Sequence, residues 1–464
     1  MDDSHWSGLL RPLFAGRRVI VKHEIVAGSV ALVRAARLLG ATDVFVLATN
    51  GPGTGPLPEP DEARWCSLGV SAAGGMLEGI RAGNAAIASL PQWAVDELNR
   101  FDPDHSAVVV ADFLNESPDL DGRPFLAYRR PEWLALDDKT MVDELWDRCG
   151  VERSPSTVVP ATVAAVGDVW DHFDGGDGVV LAIDAQEGWT GGGHGVRRVR
   201  RAGDLGAALS DWVGKDRYVR VMPFLEGIPC SIHGIVFPND VIALRPVEMI
   251  VLRTADGAFF YAGCSAFWDP PEPDRASMRA IARAVGERLR EEVDYRGAFT
   301  IDGVMTEAGF RPTELNPRNG AGLSMMARDV DIPIQLVLDA LVAGIDGDWR
   351  PNDLERTLLA EFDTRRTGGT WRLIDAAPGV GEEIEFGLVR DGENVRAAAP
   401  EEAPDVSCTF GPSAGASFFR ALFEREQTPV GPSAAPLAAA VWAYLDASYG
   451  LGIGPLAPAS EARA

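Results

Sequence analysis

Residues 313–322, TELNPRNGAG, place an acid, an amide and a cation at every second position: Glu314, Asn316 and Arg318. Successive side chains of an extended strand alternate between the two faces of a sheet, so these three would project from one face. Pro317 cannot donate to a strand ladder, which places it at a strand end or edge. The stretch therefore predicts a strand that carries a polar row on one face and runs into a glycine-rich loop.

The preceding stretch GAFTIDGVM, residues 297–305, predicts a second strand, and the intervening TEAG predicts a hairpin turn. If the turn is centred on Ala308, Asp302 lies directly opposite Glu314, with Cβ atoms about 4.5–5.5 Å apart. Like charges in this position destabilise the sheet unless a cation lies between them. The alternative is a solvated sheet edge with both acids facing water, but both acids lie in hydrophobic strands.

The polar row has the chemistry of a magnesium site that works on phosphate. Mg²⁺ in proteins is held by one or two carboxylates, waters and substrate phosphate oxygens, which suits Asp302 and Glu314. Asn316 can add its amide oxygen, and the forked guanidinium of Arg318 can bind a phosphoryl group beside the metal. The row therefore predicts phosphoryl transfer from ATP with Mg²⁺, or Mn²⁺ in its place.

The composition limits the partners that the chain can have. Its 464 residues suggest about two to four domains. The formal net charge of −25 argues against a general surface for nucleic acid or anionic membrane. An anionic substrate would instead have to meet a few well-placed cations. Only three lysines occur: Lys22, Lys139 and Lys215.

The cysteines and the first residues bear on the compartment. An odd number of cysteines in a large chain, without metal-site spacing, predicts a reducing environment. The opening MDDSHWSGLLRPLFAGRR lacks the pattern of a signal peptide, and no run of about 18 apolar residues indicates a membrane span. We therefore expect a cytoplasmic protein that binds neither nucleic acid nor membrane. The five cysteines are Cys66, Cys149, Cys230, Cys264 and Cys408.

Hydrophobic patterning predicts three domains. A strand, helix and strand over residues 18–49 indicate a parallel α/β unit within a first domain at about 1–130. The middle of the chain, 131–345, contains the hairpin with the polar row. The character changes after this point, so residues 346–464 are expected to form a separate C-terminal domain with a disordered tail.

The sequence GAFTIDGVMTEAGFRPTELNPRNGAG resembles the metal-binding end of the ATP-grasp superfamily, where an acid is followed by a Glu-x-Asn-x-Arg row. The resemblance covers roughly residues 130–345, and the first domain resembles the preATP-grasp domain that precedes this module. It implies an α/β protein with a preATP-grasp α/β domain and an ATP-grasp module of two α+β subdomains that clamp ATP. An extra C-terminal α+β domain follows, and the lid subdomain is expected at about 151–220.

The resemblance also assigns residues to the nucleotide. In DDKTMVDELWDRCGV, Lys139 corresponds to a lysine that reaches ATP phosphate, although a surface lysine on a helix is the alternative. GWTGGGHGV corresponds to the glycine loop that closes over the phosphates. In VMPFLEG, a carbonyl and an N–H would bind adenine, and an acid, otherwise an ordinary turn residue, would accept from the ribose. The implied ATP-binding residues are Lys139, Gly191, Gly192, Gly193, His194, Gly195, Pro223, Leu225, Glu226 and Arg245.

Two positions depart from the pattern of the superfamily. Ala182 stands where a second phosphate lysine usually ends the strand before the glycine loop. Met222 stands where many members have an acid that faces adenine. Arg245 on a neighbouring strand, or His194 in the loop, would then supply the missing cation.

ATP-grasp ligases phosphorylate a carboxylate to an acyl phosphate, which an amine then attacks. The resemblance therefore implies an ATP-dependent carboxylate–amine ligase that releases ADP and phosphate, takes small-molecule substrates and is compatible with a homodimer. Metal at Asp302, Glu314 and Asn316 would neutralise phosphate charge, and Arg318 would be the catalytic residue that stabilises the acyl phosphate. Two alternatives stay open: a nucleotide-binding regulatory subunit without catalysis, and another ATP-grasp reaction such as carboxylation or thioester formation.

Overall fold

The computed structural model describes residues 4–71, 76–186, 188, 193, 195–212, 216–374, 381–413 and 416–459. The first part of the chain is a parallel α/β layer, as the strand–helix–strand pattern predicts. Its elements are α1 (Ser4–Phe14), β1 (Arg18–Ile25), α2 (Val30–Leu38), β2 (Asp43–Gly51), β3 (Arg64–Ser67), α3 (Met76–Ala88), α4 (Gln92–Phe101), β4 (Val108–Ala111), β5 (Asp119–Leu120) and β6 (Arg123–Pro124).

The first sheet is parallel throughout, in the order β3-β2-β1-β4, and β5 pairs with β6 in a separate small hairpin. Its central strands are buried on both faces, since Val19 and Val21 pack with α1 and α2 while Ile20 packs with α4 on the other side. A parallel sheet covered on both faces leaves its strand ends as the open surface. The carboxyl ends of β1, β2 and β4 therefore face a crevice.

The next part forms a small antiparallel sheet, in the order β7-β10-β8-β9, with two helices on one face. Trp170, Leu181 and Val219 belong to the core between the sheet and these helices. The other face, with Val180 and Met222, lines a cavity. The elements are α5 (Pro131–Leu134), α6 (Val142–Arg148), β7 (Thr157–Pro160), α7 (Val163–Phe173), β8 (Val179–Ile183), β9 (Val196–Val199), α8 (Leu205–Leu209) and β10 (Tyr218–Pro223).

A large antiparallel sheet occupies the rest of the chain. The first half of this part of the chain contains β11 (Ile228–Val236), β12 (Val241–Ala243), β13 (Val247–Thr254), β14 (Phe259–Ser265), α9 (Glu272–Val293), β15 (Gly297–Thr306) and β16 (Gly309–Asn316). The second half contains α10 (Ala321–Met326), α11 (Ile334–Val342), α12 (Pro351–Thr364), β17 (Gly368–Ile374), β18 (Ile384–Asp391), β19 (Asn394–Ala397), β20 (Val406–Ser413), β21 (Ala416–Phe423), α13 (Ala435–Tyr449) and β22 (Leu456–Ala457).

The strand order of this sheet is β16-β15-β11-β13-β14-β17-β21-β20-β18-β19. The C-terminal strands thus continue the sheet of the preceding region, because β17 pairs with β14. Ile250 and Phe260 of the earlier strands share one core with Trp442 of α13. The region after residue 345 therefore shares a sheet and a core with the preceding region. The domain boundaries at 130 and 345 stay predictions.

The expectation of a disordered tail does not hold for the part of the tail that the structure describes. Leu456 and Ala457 pair antiparallel with Thr254 and Arg253 at the end of β13. Residues 460–464 lie outside the described residues. Composition suggested disorder here, whereas the free edge at the end of β13 supplies the hydrogen-bonding partners that order the chain.

The predicted hairpin register is confirmed next to the polar row. Asp302 pairs with Glu314 and Thr300 with Asn316, as the turn position required. Beyond this point the register shifts, and Gly303 faces Pro312. The extra residue is Thr313, a β-bulge that moves the turn by half a residue toward Glu307.

None of the described helices has both the length and the apolar character needed to cross a membrane.

The contact between β14 and β17 depends on glycine. Gly263 has φ of +140°, and a Cβ there would lie 2.3 Å from the carbonyl oxygen of Gly369. We expect Gly263→Ala to lower the free energy of unfolding by about 1–3 kcal/mol. Gly167→Ala is the control, because this glycine lies inside α7 and none of the described atoms lies within 4 Å of the added Cβ. This change should raise the free energy of unfolding by about 0.5–1 kcal/mol. Urea unfolding measures both, and equal stabilities would contradict this packing.

Candidate functional site

Two rows of polar side chains cross three neighbouring strands of the large sheet. In the first row, Ser231 of β11 lies opposite Asp302 of β15, which lies opposite Glu314 of β16. In the second row, His233 of β11 lies opposite Thr300 of β15, which lies opposite Asn316 of β16. Side chains directly opposite each other project from the same face. The rows and the arginine that follows β16 line one cavity of about 1300 Å³: Ser231, His233, Thr300, Asp302, Glu314, Asn316 and Arg318.

Hydrogen bonds join three of the residues that the sequence singled out. Ser231 Oγ donates to Asp302 Oδ1 at 2.6 Å, and Asn316 Nδ2 donates to Asp302 Oδ2 at 2.8 Å. Arg318 Nη2 in turn donates to Asn316 Oδ1 at 2.8 Å. The predicted polar row is thus a connected network on one face of the sheet.

Glu314 has a cationic partner. Lys139 Nζ lies 2.9 Å from Glu314 Oε1, and the lysine side chain is buried. Burial first, and the negative charge of Glu314 second, raise the pKa of Asp302 above its usual range. The two opposed acids therefore favour additional positive charge, as the register led us to expect.

The donor set fits a hard divalent cation. Asp302 and Glu314 offer carboxylate oxygens and Asn316 an amide oxygen, all of which Mg²⁺ accepts. Among the described residues, no group of three His, Cys, Asp or Glu side chains has the arrangement of a metal site. A metal held here would therefore depend on further oxygens, such as phosphate oxygens, to complete its coordination.

His233 of the second row is a buried, neutral base. Its Nδ1 is 2.9 Å from Thr300 Oγ1, and burial lowers the pKa of this imidazole to about 3. Its Nε2 has no hydrogen-bond partner among the described residues. A Cβ on Gly322 would lie 2.6 Å from that nitrogen, which explains the need for glycine just after the polar row.

A flat apolar slot lies beside these rows. Val180, Ala182 and Met222 pack together on the cavity face of the small sheet. The rings of Phe224 and Phe259 stack with centroids 6.4 Å apart. Pro223 and Leu225, the two hinge residues that the resemblance assigns to adenine, both line the cavity next to this slot.

The comparisons with known proteins concern the fold. No protein-family model and no curated protein sequence matches the chain. Solved structures do match. The biotin carboxylase domain of Hydrogenobacter thermophilus 2-oxoglutarate carboxylase, solved with MgADP, ADP and bicarbonate, gives a TM-score of 0.54 at 15% identity, covering 88% of this chain and 86% of that chain. The Campylobacter jejuni biotin carboxylase in complex with an ATP ligand gives 0.53 at 13% identity, covering 87% and 86%.

The chain has the ATP-grasp fold. Its N-terminal parallel layer is the preATP-grasp domain, so the fold class that the resemblance implied is confirmed. Pyruvate carboxylase from Rhizobium etli is also similar, with a TM-score of 0.50 at 16% identity over 88% of this chain and 36% of that chain. At these identities the likeness concerns the fold alone.

Arg245 does not reach the cavity of this ATP-grasp fold. It is buried in ion pairs with Asp269, at 2.7 Å, and with Asp363 of α12. Its position after β12 turns the side chain toward α12 and away from the polar rows. The expectation that Arg245 replaces a phosphate lysine is therefore wrong.

Glu226 also has a partner. It receives two hydrogen bonds from Arg253, at 2.6 and 3.0 Å, and Arg253 rather than Glu226 lines the cavity. Arg253 lies over the ring of Phe224, 4.9 Å from its centroid. The ribose role of Glu226 stays a prediction.

The predicted glycine loop is described only in part. Gly193 lines the cavity, and both Gly193 and Gly195 have positive φ, +84° and +83°. Such angles suit glycine. Gly191, Gly192 and His194 lie outside the described residues.

Sequence reasoning missed a third part of the cavity wall, at the carboxyl ends of the parallel strands. Lys22 of β1 and Asp112 after β4 form a buried ion pair of 2.9 Å, and both line the cavity with Glu24. Burial first, and then the charge of Asp112, raise the pKa of Glu24 to about 7. Two features of the sequence could have indicated this part of the wall: Lys22 is one of only three lysines, and it lies near the end of a strand.

Asp339 of α11 is buried behind this region. Its Oδ1 accepts from Gln335 Nε2 at 2.8 Å, and its Oδ2 has no hydrogen-bond partner in the part of the chain that the structure describes. Burial raises the pKa of Asp339 to about 8, with a further contribution from the charge of Asp112. The native state therefore holds a proton that the unfolded chain releases near pH 4.

The contribution of Asp339 to the free energy of unfolding should accordingly fall as pH rises from about 4 to 8. Asp339→Asn, which imitates the protonated acid, should remove this dependence on pH. We expect the difference in unfolding free energy between the wild type and the variant to change by about 1.4 kcal/mol for each pH unit. Urea unfolding at pH 5, 6 and 7 measures it. Asp348→Asn, at an exposed position, is the control, and parallel pH curves for the wild type and Asp339→Asn would contradict the assignment.

Proposed function

We propose that the protein is an ATP- and Mg²⁺-dependent ligase that activates a carboxylate as an acyl phosphate and joins it to an amine. ADP and phosphate are the other products. The observation that carries this proposal is the register that sets Asp302 opposite Glu314, with Asn316 and Arg318 on the same face of one cavity. ATP-grasp neighbours solved with ADP, ATP or MgADP support the choice of nucleotide and metal.

Asp302, Glu314 and Asn316 would hold the metal through their oxygens. Bound there, Mg²⁺ neutralises charge that builds up on the transferring phosphate. The raised pKa of Asp302 supports this role, because a cation between the acids relieves the repulsion that burial makes costly.

Lys139 and Arg318 supply the protein's own positive charge. Lys139 lines the cavity and already contacts Glu314, so we assign it to an ATP phosphate. Arg318 follows the strand that carries the metal ligands, and its guanidinium is held by Asn316. A preorganised cation in this position stabilises the acyl phosphate and the tetrahedral intermediate that the amine forms from it.

The apolar slot would take the adenine ring. The Pro223 carbonyl and the Leu225 N–H would bind its edge, while Phe224 and Phe259 offer aromatic surface. The five cysteines, none in a disulfide, support the proposal of a cytoplasmic protein. A homodimer stays a prediction.

One observation favours a second candidate, a subunit that binds nucleotide without catalysis. Ala182, where a second phosphate lysine was expected, packs with Met222 in the apolar slot. Across the paired strands it lies opposite Arg220, whose guanidinium is directed to Asp143 at 2.6 Å and to the Thr313 carbonyl at 2.9 Å. Phosphate binding then depends more heavily on Lys139.

Glu314→Gln tests the metal site. We expect ADP release to fall by at least about 100-fold, because a carboxylate ligand to the metal is lost. Glu393→Gln, in the exposed turn between β18 and β19, is the matched control and should keep full activity. Near wild-type ADP release by Glu314→Gln at saturating Mg²⁺ would contradict the assignment.

The reaction itself is tested by incubating the protein with ATP, Mg²⁺ and a panel of carboxylates and amines. Products are followed by ADP and phosphate assays and by mass spectrometry. An acid–amine pair that yields ADP, phosphate and an amide supports the ligase. AMP with pyrophosphate would count against an acyl phosphate, and nucleotide binding without any turnover would favour the regulatory subunit.

Lys139→Ala tests phosphate binding independently of turnover. A charge-assisted hydrogen bond to phosphate contributes about 1.5–3 kcal/mol, so ATP affinity should fall about ten- to a hundredfold. Calorimetry measures it. Ala182→Lys, added to the first change, should restore part of the loss because residue 182 lines the cavity. Unchanged ATP affinity in Lys139→Ala would show that other cations hold the phosphates.

A further inference from the structure

The cavity continues beyond the polar rows to the C-terminal strands. Trp371 of β17 lies opposite Arg420 of β21, and both line the cavity that contains Asp302 and Arg318. Arg328, in the turn after α10, lines it as well. We call Arg328, Trp371 and Arg420 the arginine arm. It exists only because the C-terminal strands continue the large sheet.

The two arginines of this arm differ from the other cations of the cavity. Lys22 pairs with Asp112, Lys139 with Glu314, and Arg253 with Glu226. Arg34 pairs with Glu62. The guanidinium groups of Arg328 and Arg420, by contrast, form no ion pair or hydrogen bond with any residue that the structure describes.

The pKa of Arg420 is consistent with a guanidinium that has no anionic partner. Burial first, and the positive charge of Arg328 second, lower the pKa of Arg420, whereas Glu383 and Glu385 act in the opposite direction. Glu385 is separated from Arg420 by the intervening strand β20. Two guanidinium groups that repel each other in a chain of net charge −25 are stabilised by an anion between them.

The arm is separate from the nucleotide slot. The slot is built from the small sheet and the beginning of β14, where Phe259 lies. Arg420 lies two strands beyond β14, which corresponds to about 10 Å at the usual strand spacing. An anion held by the arm is therefore better placed to belong to the acid substrate than to the adenosine part of ATP.

We propose that Arg328 and Arg420 form a second anion subsite, so that the acid substrate is a dianion whose second carboxylate or phosphate group binds there. This inference rests on the proposed function, in which Arg318 meets the carboxyl group that reacts. Trp371, opposite Arg420, would pack against the carbon chain that joins the two anionic groups.

The test uses matched pairs of small acids that differ only in the second charge: propionate, succinate and 3-phosphonopropionate, then butyrate and glutarate. Calorimetry measures their binding to the full chain with MgADP. We expect at least one dianion to bind about tenfold or more tightly than its monoanionic match. The preferred member of a succinate and phosphonate pair identifies the second group as carboxylate or phosphate.

Arg420→Met should remove this preference and leave the affinities for monoanions and MgADP unchanged. Arg328→Met, on a different segment, should weaken dianion binding in the same way, and it keeps the test open if Arg420→Met does not fold. Arg356→Met on α12, an exposed arginine, is the matched control. Trp371→Phe should abolish any change in tryptophan fluorescence caused by the dianion.

The subsite would be overturned by equal binding of dianions and monoanions by the wild type, or by wild-type dianion affinity in both arginine variants. A loss of MgADP affinity in Arg420→Met would likewise overturn it in favour of a nucleotide contact. The proposed function is tested separately by turnover. Dianion binding that depends on Arg420, with no acid and amine giving ADP, would support the subsite and contradict the ligase.

Discussion

Two carboxylates that face each other across adjacent strands constrain this molecule most strongly. The ladder between β15 and β16 holds the backbone of Asp302 opposite that of Glu314, so both side chains project from the same face of the sheet. Burial and the neighbouring Glu314 raise the pKa of Asp302, because they make its charged form costly. Lys139 offsets one charge, and Asn316 and Ser231 donate to the other acid. Such an arrangement is stabilised by a bound cation, and the remaining groups of the cavity suit the phosphates of a nucleotide.

The large sheet connects this pair to the rest of the cavity. Because β14 pairs with β17, the C-terminal strands extend the wall that carries the polar rows. The parallel layer closes the other side with the strand end at Lys22, and the small sheet closes the side of the apolar slot with Met222. The cavity thus offers chemically different regions: an apolar slot, a polar centre and the arginine arm. The proposed ligase, which would hold a nucleotide, an acid and an amine, would need such a division.

The sequence predicted what depends on local pattern. The alternation of Glu314 and Asn316, with the hairpin turn, was sufficient to find the polar row and its register, because strand periodicity determines both. It did not reveal Arg420, which joins the cavity only through long-range strand pairing. The misplaced Arg245 has the same origin, since its partner Asp363 lies far along the chain. The continuity of the C-terminal region was hidden because composition does not record which strand edges meet.

The central claim is that the opposed acids bind metal together with nucleotide. The most direct measurement is calorimetry of ADP binding to the wild-type chain with and without Mg²⁺, and of Mg²⁺ alone. We expect ADP to bind markedly more tightly with Mg²⁺ and Mg²⁺ alone to bind weakly, because the protein offers only part of the coordination shell. ADP affinity that does not change with Mg²⁺ would contradict the account.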